Sequence, residues 1–490
     1  MKKSKISNNL QKIWVALIFS APVALFFSYH PVISLGSSEQ MNFEFSIAEI
    51  WLMLFSLVSL INLKDFLKFY GKKLFLFAAF PAYAALSLLW SPNRLRALLT
   101  LGLLSLLIFA ALNIYYYLRT HKAKLPLLQK VLVLSAIGFS LFCWLQCILD
   151  VFGVSRNLTG LCQGCVYSTF GFPHPNGFAI EPQFAGNLLL VPTLLVIYDL
   201  ITKKYLFKTP ASQAVAAIFL ATTVFITFSR GAIYALIIGL GLIFLSQFPV
   251  IKHNRKKSNK SAWLIVPIVL ASFLISLTFQ GIFSAVSPTS DTFWTGVSKS
   301  IHQLSLGKID LRPTEIKEPQ AENPAESSPS SDIKAENSAE PIPSPSPKTE
   351  NVSIFSGYVE QSSAFRSQLT KDALDIWNDS PKNLLFGTGL GSAGIKLLEK
   401  DPELGIEKEI VQNQYASILL ELGLVGFLLA AATIIFIIYQ IRPNALLGST
   451  LVALSFTLFF FGGLPNALHV YLFPILLTDP GIKRSRRHKQ

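Results

Sequence analysis

Long apolar runs separated by short polar clusters set the plan of the chain. A helix needs about 20 apolar residues to cross the hydrocarbon core of a bilayer. The runs predict spans at 13–29, 47–63, 74–90, 97–118, 131–152, 183–202, 212–228, 231–248, 262–280, 415–440, 444–461 and 465–479. The fold class is therefore an all-α polytopic membrane protein of about 12 transmembrane helices. Nine helices fall within residues 1–280, a large loop occupies 281–412, three helices fall within 413–480, and a tail follows over 481–490.

Basic residues test this plan, because short cytoplasmic loops collect Lys and Arg. Every second connection is basic: Lys2, Lys3, Lys5 and Lys12, then Lys64 to Lys73, Arg119 to Lys130, Lys203 to Lys208, Lys252 to Lys260, Arg442, and finally Lys483 to Lys489. The short connections between them carry only Arg94, Arg96, Arg156 and Arg230. Both termini are thus expected in the cytoplasm and the large loop outside it. Between Lys208 and Lys252 the sequence is almost continuously apolar. A single helix there would run roughly 55 Å, too long for a bilayer, and would put two basic loops on opposite sides. Two crossings resolve this, with Ser229-Arg230-Gly231 as a tight outer turn at a helix start. Gly462 to Asn466 is expected to form another outer turn.

The large loop has two parts. Pro313 to Asn351 is rich in Pro, Ser, Glu and Lys and lacks aromatics. It cannot bury enough apolar area to offset its ordering entropy, so disorder is expected. Order is expected over 354–411, where Phe365, Leu369, Ala373 and Trp377 recur at helical spacing beside Arg366 and Ser380-Pro381 ends the helix. Gly387-Thr388-Gly389-Leu390-Gly391 then predicts tight turns; it lacks the Lys-Ser/Thr of a phosphate-binding P-loop.

Composition agrees with a membrane protein. Hydrophobic residues make up 51% and charged residues 14%, against about 25% charged in soluble domains. The first apolar run is followed by further spans and is expected to be a retained helix, not a cleaved leader. The net charge of +14 follows the loop alternation, so it marks topology and no nucleic-acid partner. Cys143 and Cys147 sit one turn apart in a span, as buried thiols do. Cys162 and Cys165 form an outer C-x-x-C that suits a local disulfide, since no second ligand pair for zinc is visible.

Several residues could carry chemistry. Arg230 at a membrane-edge turn could grip a phosphate in bidentate fashion, or could anchor the helix at the interface. Arg366 borders an apolar stripe, although most loop arginines are merely solvated. Gln412, Asn413 and Tyr415 stand where the loop re-enters the membrane, which also suits a polar helix start. Glu421 is an intramembrane carboxylate, a functional candidate that could equally tie helices together. His174 and Glu181 lie just before the sixth span. His174 could act as a general base, but lone loop histidines between prolines are more often structural.

The chain resembles the O-antigen ligase and polymerase superfamily of bacterial envelope enzymes. The resemblance rests on Thr227-Phe228-Ser229-Arg230-Gly231-Ala232, on Arg366 with Ala373, Trp377, Asp379, Pro381 and the Gly387–Gly391 turns, and on Gln412-Asn413-Gln414-Tyr415 through Glu421 to Gly426. Pro175-Asn176 and Glu181-Pro182 are similar to the stretch before the sixth span in some members. The resemblance spans roughly the C-terminal two-thirds of the chain. It implies glycosyl transfer from an undecaprenyl-pyrophosphate-linked glycan to an acceptor hydroxyl on a glycan or glycolipid, outside the cytoplasmic (inner) membrane. It implies no cofactor and no metal. Positioned guanidinium groups must then stabilise the departing pyrophosphate, and Arg230 and Arg366 are the candidates. Asn413, Tyr415 and Glu421 are the further candidates for binding. Ligases of this family carry a histidine where this chain has Gln412, and an amide is no general base near neutral pH. Gln412 can orient the acceptor, and His174, Glu181 or Glu421 remain to take its proton. The replacement favours a polymerase or divergent transferase over a lipid-A-core ligase.

Two other classes compete. A transporter or flippase for a lipid-linked glycan or small anion should show mid-membrane ionisable groups and repeated broken helices; Glu421 is the main such group here. An envelope scaffold displaying the Pro-rich loop would leave Arg230 unexplained. The transferase reading requires Arg230, Arg366 and Gln412 to converge on one outward-facing site.

Overall fold

The computed structural model describes residues 5–38, 41–152, 174–248, 260–286, 292–305, 309, 354–402, 411–441, 444–462 and 467–478. The Cys162/Cys165 pair, the Pro313–Asn351 stretch, most of the 252–260 basic loop and the basic tail lie outside the described residues. The architecture is helical, with one departure. Helix α1 (Lys5–Ala24) leads into a two-stranded antiparallel hairpin, β1 (Val32–Ser38) and β2 (Met41–Ser46), with an irregularity between Ser34 and Ser37. The alternation Met41-x-Phe43-x-Phe45 is the strand period within a chain otherwise read for helices. Ser46 then caps α2 (Ile47–Ser59): its hydroxyl accepts from Glu49 N at 3.3 Å, and Glu49 Oε2 accepts from Ser46 N at 2.8 Å.

Short helix α3 (Leu63–Tyr70) follows, ending at Gly71 with φ +51°, and then α4 (Leu74–Leu86), α5 (Arg94–Thr120) and α6 (Leu125–Val151). Helix α7 (Pro182–Thr202) is the central element. Over its most apolar stretch 94% of residues are buried within the protein, so other parts of the chain cover this stretch on nearly every face. It packs against α6, α8 (Pro210–Ile226) and α9 (Arg230–Ser246). A Cβ on Gly186 would lie 2.7 Å from Ala232 Cβ, so a side chain there would force α7 and α9 apart. Helix α10 (Ile265–Val286) closes this half and packs against α11 (Phe293–Leu304).

The ordered part of the large loop comprises α12 (Ile354–Asn378), α13 (Pro381–Phe386) and α14 (Ala393–Lys400). Of the expected stripe, Leu369 and Ala373 are fully buried and cluster with Leu397, Val411, Ala416 and Leu420, while Trp377 is half-buried. Helix α15 (Gln414–Ile441) returns into the apolar layer, and α16 (Ala445–Thr457) and α17 (Leu468–Leu472) finish the bundle.

Among the described residues seven helical stretches reach spanning length and apolarity, and four shorter apolar helices lie at 210–226, 230–246, 445–457 and 468–477. This supports a multi-pass membrane protein. The last expected span, 465–479, differs: among its described residues it is a five-residue helix followed by a 3-10 turn over Phe473–Leu477. Pro474 lacks an amide hydrogen to continue the helical ladder. Ten helical residues rise only about 15 Å, half the hydrocarbon thickness.

Candidate functional site

Three segments meet around the carboxyl end of α16. The first is the turn between α8 and α9. Thr227 Oγ1 donates to Val224 O at 2.7 Å and accepts from Ser229 N at 3.3 Å. Phe228 takes a left-handed conformation with φ +49°. Ser229 caps α9, its hydroxyl accepting from Ala232 N at 3.3 Å. The break expected at Ser229-Arg230-Gly231 is thus real, and half-buried Arg230 is the first residue of α9. Its charge adds to the positive end of the helix dipole, a combination suited to an anion.

The second segment is the start of α7. Pro182 occupies its first position and Glu181 precedes it in extended conformation. Gln183 reaches both ways from the first turn. Its Nε2 donates to Phe460 O at 2.7 Å, while its Oε1 accepts from Arg366 Nη1. A second guanidinium nitrogen of Arg366 lies 3.7 Å from Glu181 Oε2. The loop helix α12 therefore delivers Arg366 onto the rigid end of the central helix. The two charged side chains keep 32% and 40% of their surface exposed. An ion pair so open to water contributes little stability, yet stays accessible to a ligand. Gly231 faces the same residue from the other side: a Cβ on it would lie 3.5 Å from Phe460 Cβ. Phe460 thus joins the Arg230 turn to the Arg366–Gln183–Glu181 cluster.

The third segment is the start of α15. Asn413 Oδ1 accepts from Tyr415 N at 3.0 Å and Ala416 N at 3.2 Å, capping the helix. Gln414 N donates to Leu458 O at 2.9 Å and Tyr415 Oη to Ser455 O at 2.8 Å, with the Tyr415 ring 4.5 Å from that of Phe459. Half-exposed Gln412 stands at this turn. Gly231, Gln183, Gln414 and Tyr415 therefore all lie against one short stretch, residues 455–460, and they are the sequence neighbours or side-chain partners of Arg230, Arg366, Glu181 and Gln412.

Two candidates lie elsewhere. Glu421 sits two turns into α15 and binds the glycine turns: its carboxylate accepts from Ala393 N at 3.1 Å and from the backbone of Gly391. His174 is 5% exposed, with its ring 5.1 Å from that of Phe228 and a hydrogen bond to the backbone of Thr227. Burial pushes its pKa down to about 3, so it is neutral and a weak base at physiological pH. Its neighbours make it a prop for the turn. Asn176 is likewise structural, accepting from Gln146 Nε2 at 3.0 Å and donating to Ala179 O at 2.9 Å.

Gln183 was not among the candidates read from the sequence, although it makes the central contact. Its signal was positional: a polar side chain in the first turn of the most buried helix, two residues after Glu181. Among the described residues no group of three His, Cys, Asp or Glu side chains could hold a metal ion.

Residues 215–431 match the family model described as O-antigen ligase. The matched region contains Arg230, Arg366, Gln412, Asn413, Tyr415 and Glu421, and stops short of His174, Glu181 and Gln183 on one side and of Phe460 on the other. No curated protein matches the chain.

Proposed function

We propose, on the match of residues 215–431 to the O-antigen ligase family, that the chain is a member of the O-antigen ligase/polymerase superfamily that transfers a glycan from an undecaprenyl-pyrophosphate carrier to an acceptor hydroxyl at the outer face of the cytoplasmic membrane. The observation that carries this is the delivery of Arg366 from the loop onto Glu181 and Gln183 at the end of α7, beside the turn that starts α9 at Arg230. In the proposed step the acceptor oxygen attacks the anomeric carbon. The bond from that carbon to the pyrophosphate oxygen breaks, and its electron pair leaves with the pyrophosphate.

Arg230, Arg366 and the amino end of α9 stabilise the growing negative charge. The Glu181 carboxylate takes the proton from the acceptor hydroxyl; it is the half-exposed carboxylate beside the Arg366 guanidinium. Gln412 orients the acceptor through its amide. Asn413 and Tyr415 hold the α15 start in place, and Glu421 holds the glycine turns, so these three act by positioning. Because Gln412 stands where ligases of the family carry histidine, chain polymerisation is the preferred form of the reaction.

The test is glycan profiling of a deletion strain complemented with wild type, Arg230→Ala or Arg366→Ala at matched membrane expression. Loss of long chains with accumulation of short lipid-linked units supports a polymerase that uses both arginines. Loss of glycan from a distinct acceptor with chain length intact points to a ligase. An unchanged profile in the deletion strain contradicts the proposal.

A further inference from the structure

A second site lies on the outer loop, away from the two arginines. A cleft of about 600 Å³ opens between α12, α13, α14 and the turn that joins α4 to α5. This volume falls within the range of small-molecule sites, roughly 300–1,000 Å³. Trp90 and Pro92 form the wall from the membrane domain, and Thr388 of the glycine turns belongs to the floor.

Its charges are balanced: Asp375, Asp379 and Glu399 face Lys382, Lys396 and Lys400. Part of this set is already paired. Lys400 lies 2.9 Å from Asp375 and 3.4 Å from Asp372, and Lys396 pairs with Glu399. Among the described residues Asp379 and Lys382 make no ion pair, and Asn383 spends its amide nitrogen on Ile376 O at 3.2 Å. The cleft thus offers carboxylate, amide and ammonium groups with no net charge to attract an anion. The indole Nε1 of Trp90 is buried and has no hydrogen-bond acceptor among the described residues. A tryptophan that served only as an interfacial anchor would face lipid headgroups, whereas Trp90 borders a cleft walled by charged loop side chains.

Neutral sugars match this lining. Their axial C–H faces stack on an aromatic ring, and their hydroxyls donate to carboxylates and accept from ammonium and amide groups. We propose that this cleft is a glycan-binding subsite, with Trp90 as the stacking platform and Asp379, Lys382 and Asn383 as hydroxyl partners. The inference rests on the transferase reading above and adds a place for sugar units that do not react. Asp375 follows Arg366 by nine residues on the same helix, a rise of roughly 14 Å, so the cleft engages the chain several sugars from the bond being made. The glycine turns fix its geometry, since they are hydrogen-bonded to both α15 and the Ser87–Ser91 turn.

The experiment uses the full chain in lipid nanodiscs. The probe is a size-fractionated set of oligosaccharides released by acid from the host's surface polysaccharide, and binding is read by saturation-transfer NMR. Trp90→Ala and Asp379→Asn are expected to weaken binding roughly tenfold, with Trp90→Phe keeping most of it and Arg366→Ala leaving it intact. Inorganic pyrophosphate should not compete. Wild-type affinity in both Trp90→Ala and Asp379→Asn, or competition by pyrophosphate, overturns the subsite.

Transfer kinetics then separate the source of the sugar. A raised KM for the acceptor places the acceptor chain in the cleft, and a raised KM for the donor places the donor glycan there. Unchanged KM values for both overturn it. If Arg366→Ala keeps transfer while Trp90→Ala loses sugar binding, the pyrophosphate site fails and the cleft stands. The converse result condemns the cleft alone.

Discussion

Replacing Gly389 by alanine should undock the large loop and stop the proposed transfer without touching any reacting group. Gly389 has φ +103°, a conformation beyond the left-handed region that L side chains tolerate. Holding a side chain there costs about 1–3 kcal/mol. A Cβ would also lie 2.5 Å from Ser91 Cα and 2.8 Å from Ser91 N. Both contacts are backbone, so the strain cannot be relieved by turning a side chain, and overpacking adds about 1–3 kcal/mol. Escape means breaking the bond from Gly389 N to Glu421 O, 2.8 Å long, at a net cost of about 1 kcal/mol.

Even the lowest sum of these terms, about 3 kcal/mol, moves the loop's open–closed equilibrium by roughly 100-fold. The open loop takes α12 and Arg366 away from Gln183 and Glu181. The assay is amide hydrogen exchange over residues 387–393, paired with glycan profiling. Gly448→Ala is the control: it lies in α16 with nothing within 4 Å of an added Cβ, so it should be neutral or slightly stabilising. Unchanged exchange at the glycine turns in Gly389→Ala, with normal glycan, refutes the docking argument.

Other perturbations follow from the same contacts. His174 has a folded pKa of about 3 against 6.5 for the free side chain. The unfolded chain therefore binds the extra proton below pH 6.5, and stability falls as pH drops from there toward 3. Between pH 7 and pH 5 this amounts to about 2 kcal/mol. Thermal unfolding in detergent should show a shallower acid loss for His174→Gln than for wild type, and equal slopes would contradict the burial argument. Asn413→Ala removes the cap of α15 and should cost about 1 kcal/mol, with Asn413→Asp restoring most of it in the same assay. If all the loss appears as reduced transfer at unchanged melting temperature, Asn413 touches substrate and is no mere cap.

The hydropathy pattern made the bundle legible because each helix buries or faces lipid with an apolar surface. The interruption at Ser229-Arg230-Gly231 was readable from the length of the apolar run and the charge of its flanking loops, and the glycine turns from their spacing. The β1–β2 hairpin was not, since its strand-like alternation covers few residues next to a long apolar run. The kink in α15 was also hidden. Gly423, with φ +63°, frees the carbonyls of Leu420 and Glu421 to accept from Thr388 N and Gly389 N at 2.9 and 2.8 Å; only the fold supplies those donors. At the site, Arg366 and Glu181 were both named from sequence. The link between them through Gln183 depends on residues 183 positions apart, which no local pattern reports. His174 was a fair chemical candidate until its burial under Phe228 became visible.

The most direct test of the central claim is single-turnover transfer by the purified protein in lipid nanodiscs, scoring released undecaprenyl pyrophosphate for wild type, Arg366→Lys and Glu181→Gln. If Arg366 stabilises the leaving pyrophosphate, the lysine variant keeps the charge but loses the bidentate fork, and the rate should fall roughly 100-fold or more at unchanged binding of the donor. Glu181→Gln should lower the rate at unchanged binding of the donor. Wild-type rates in both variants would contradict the account.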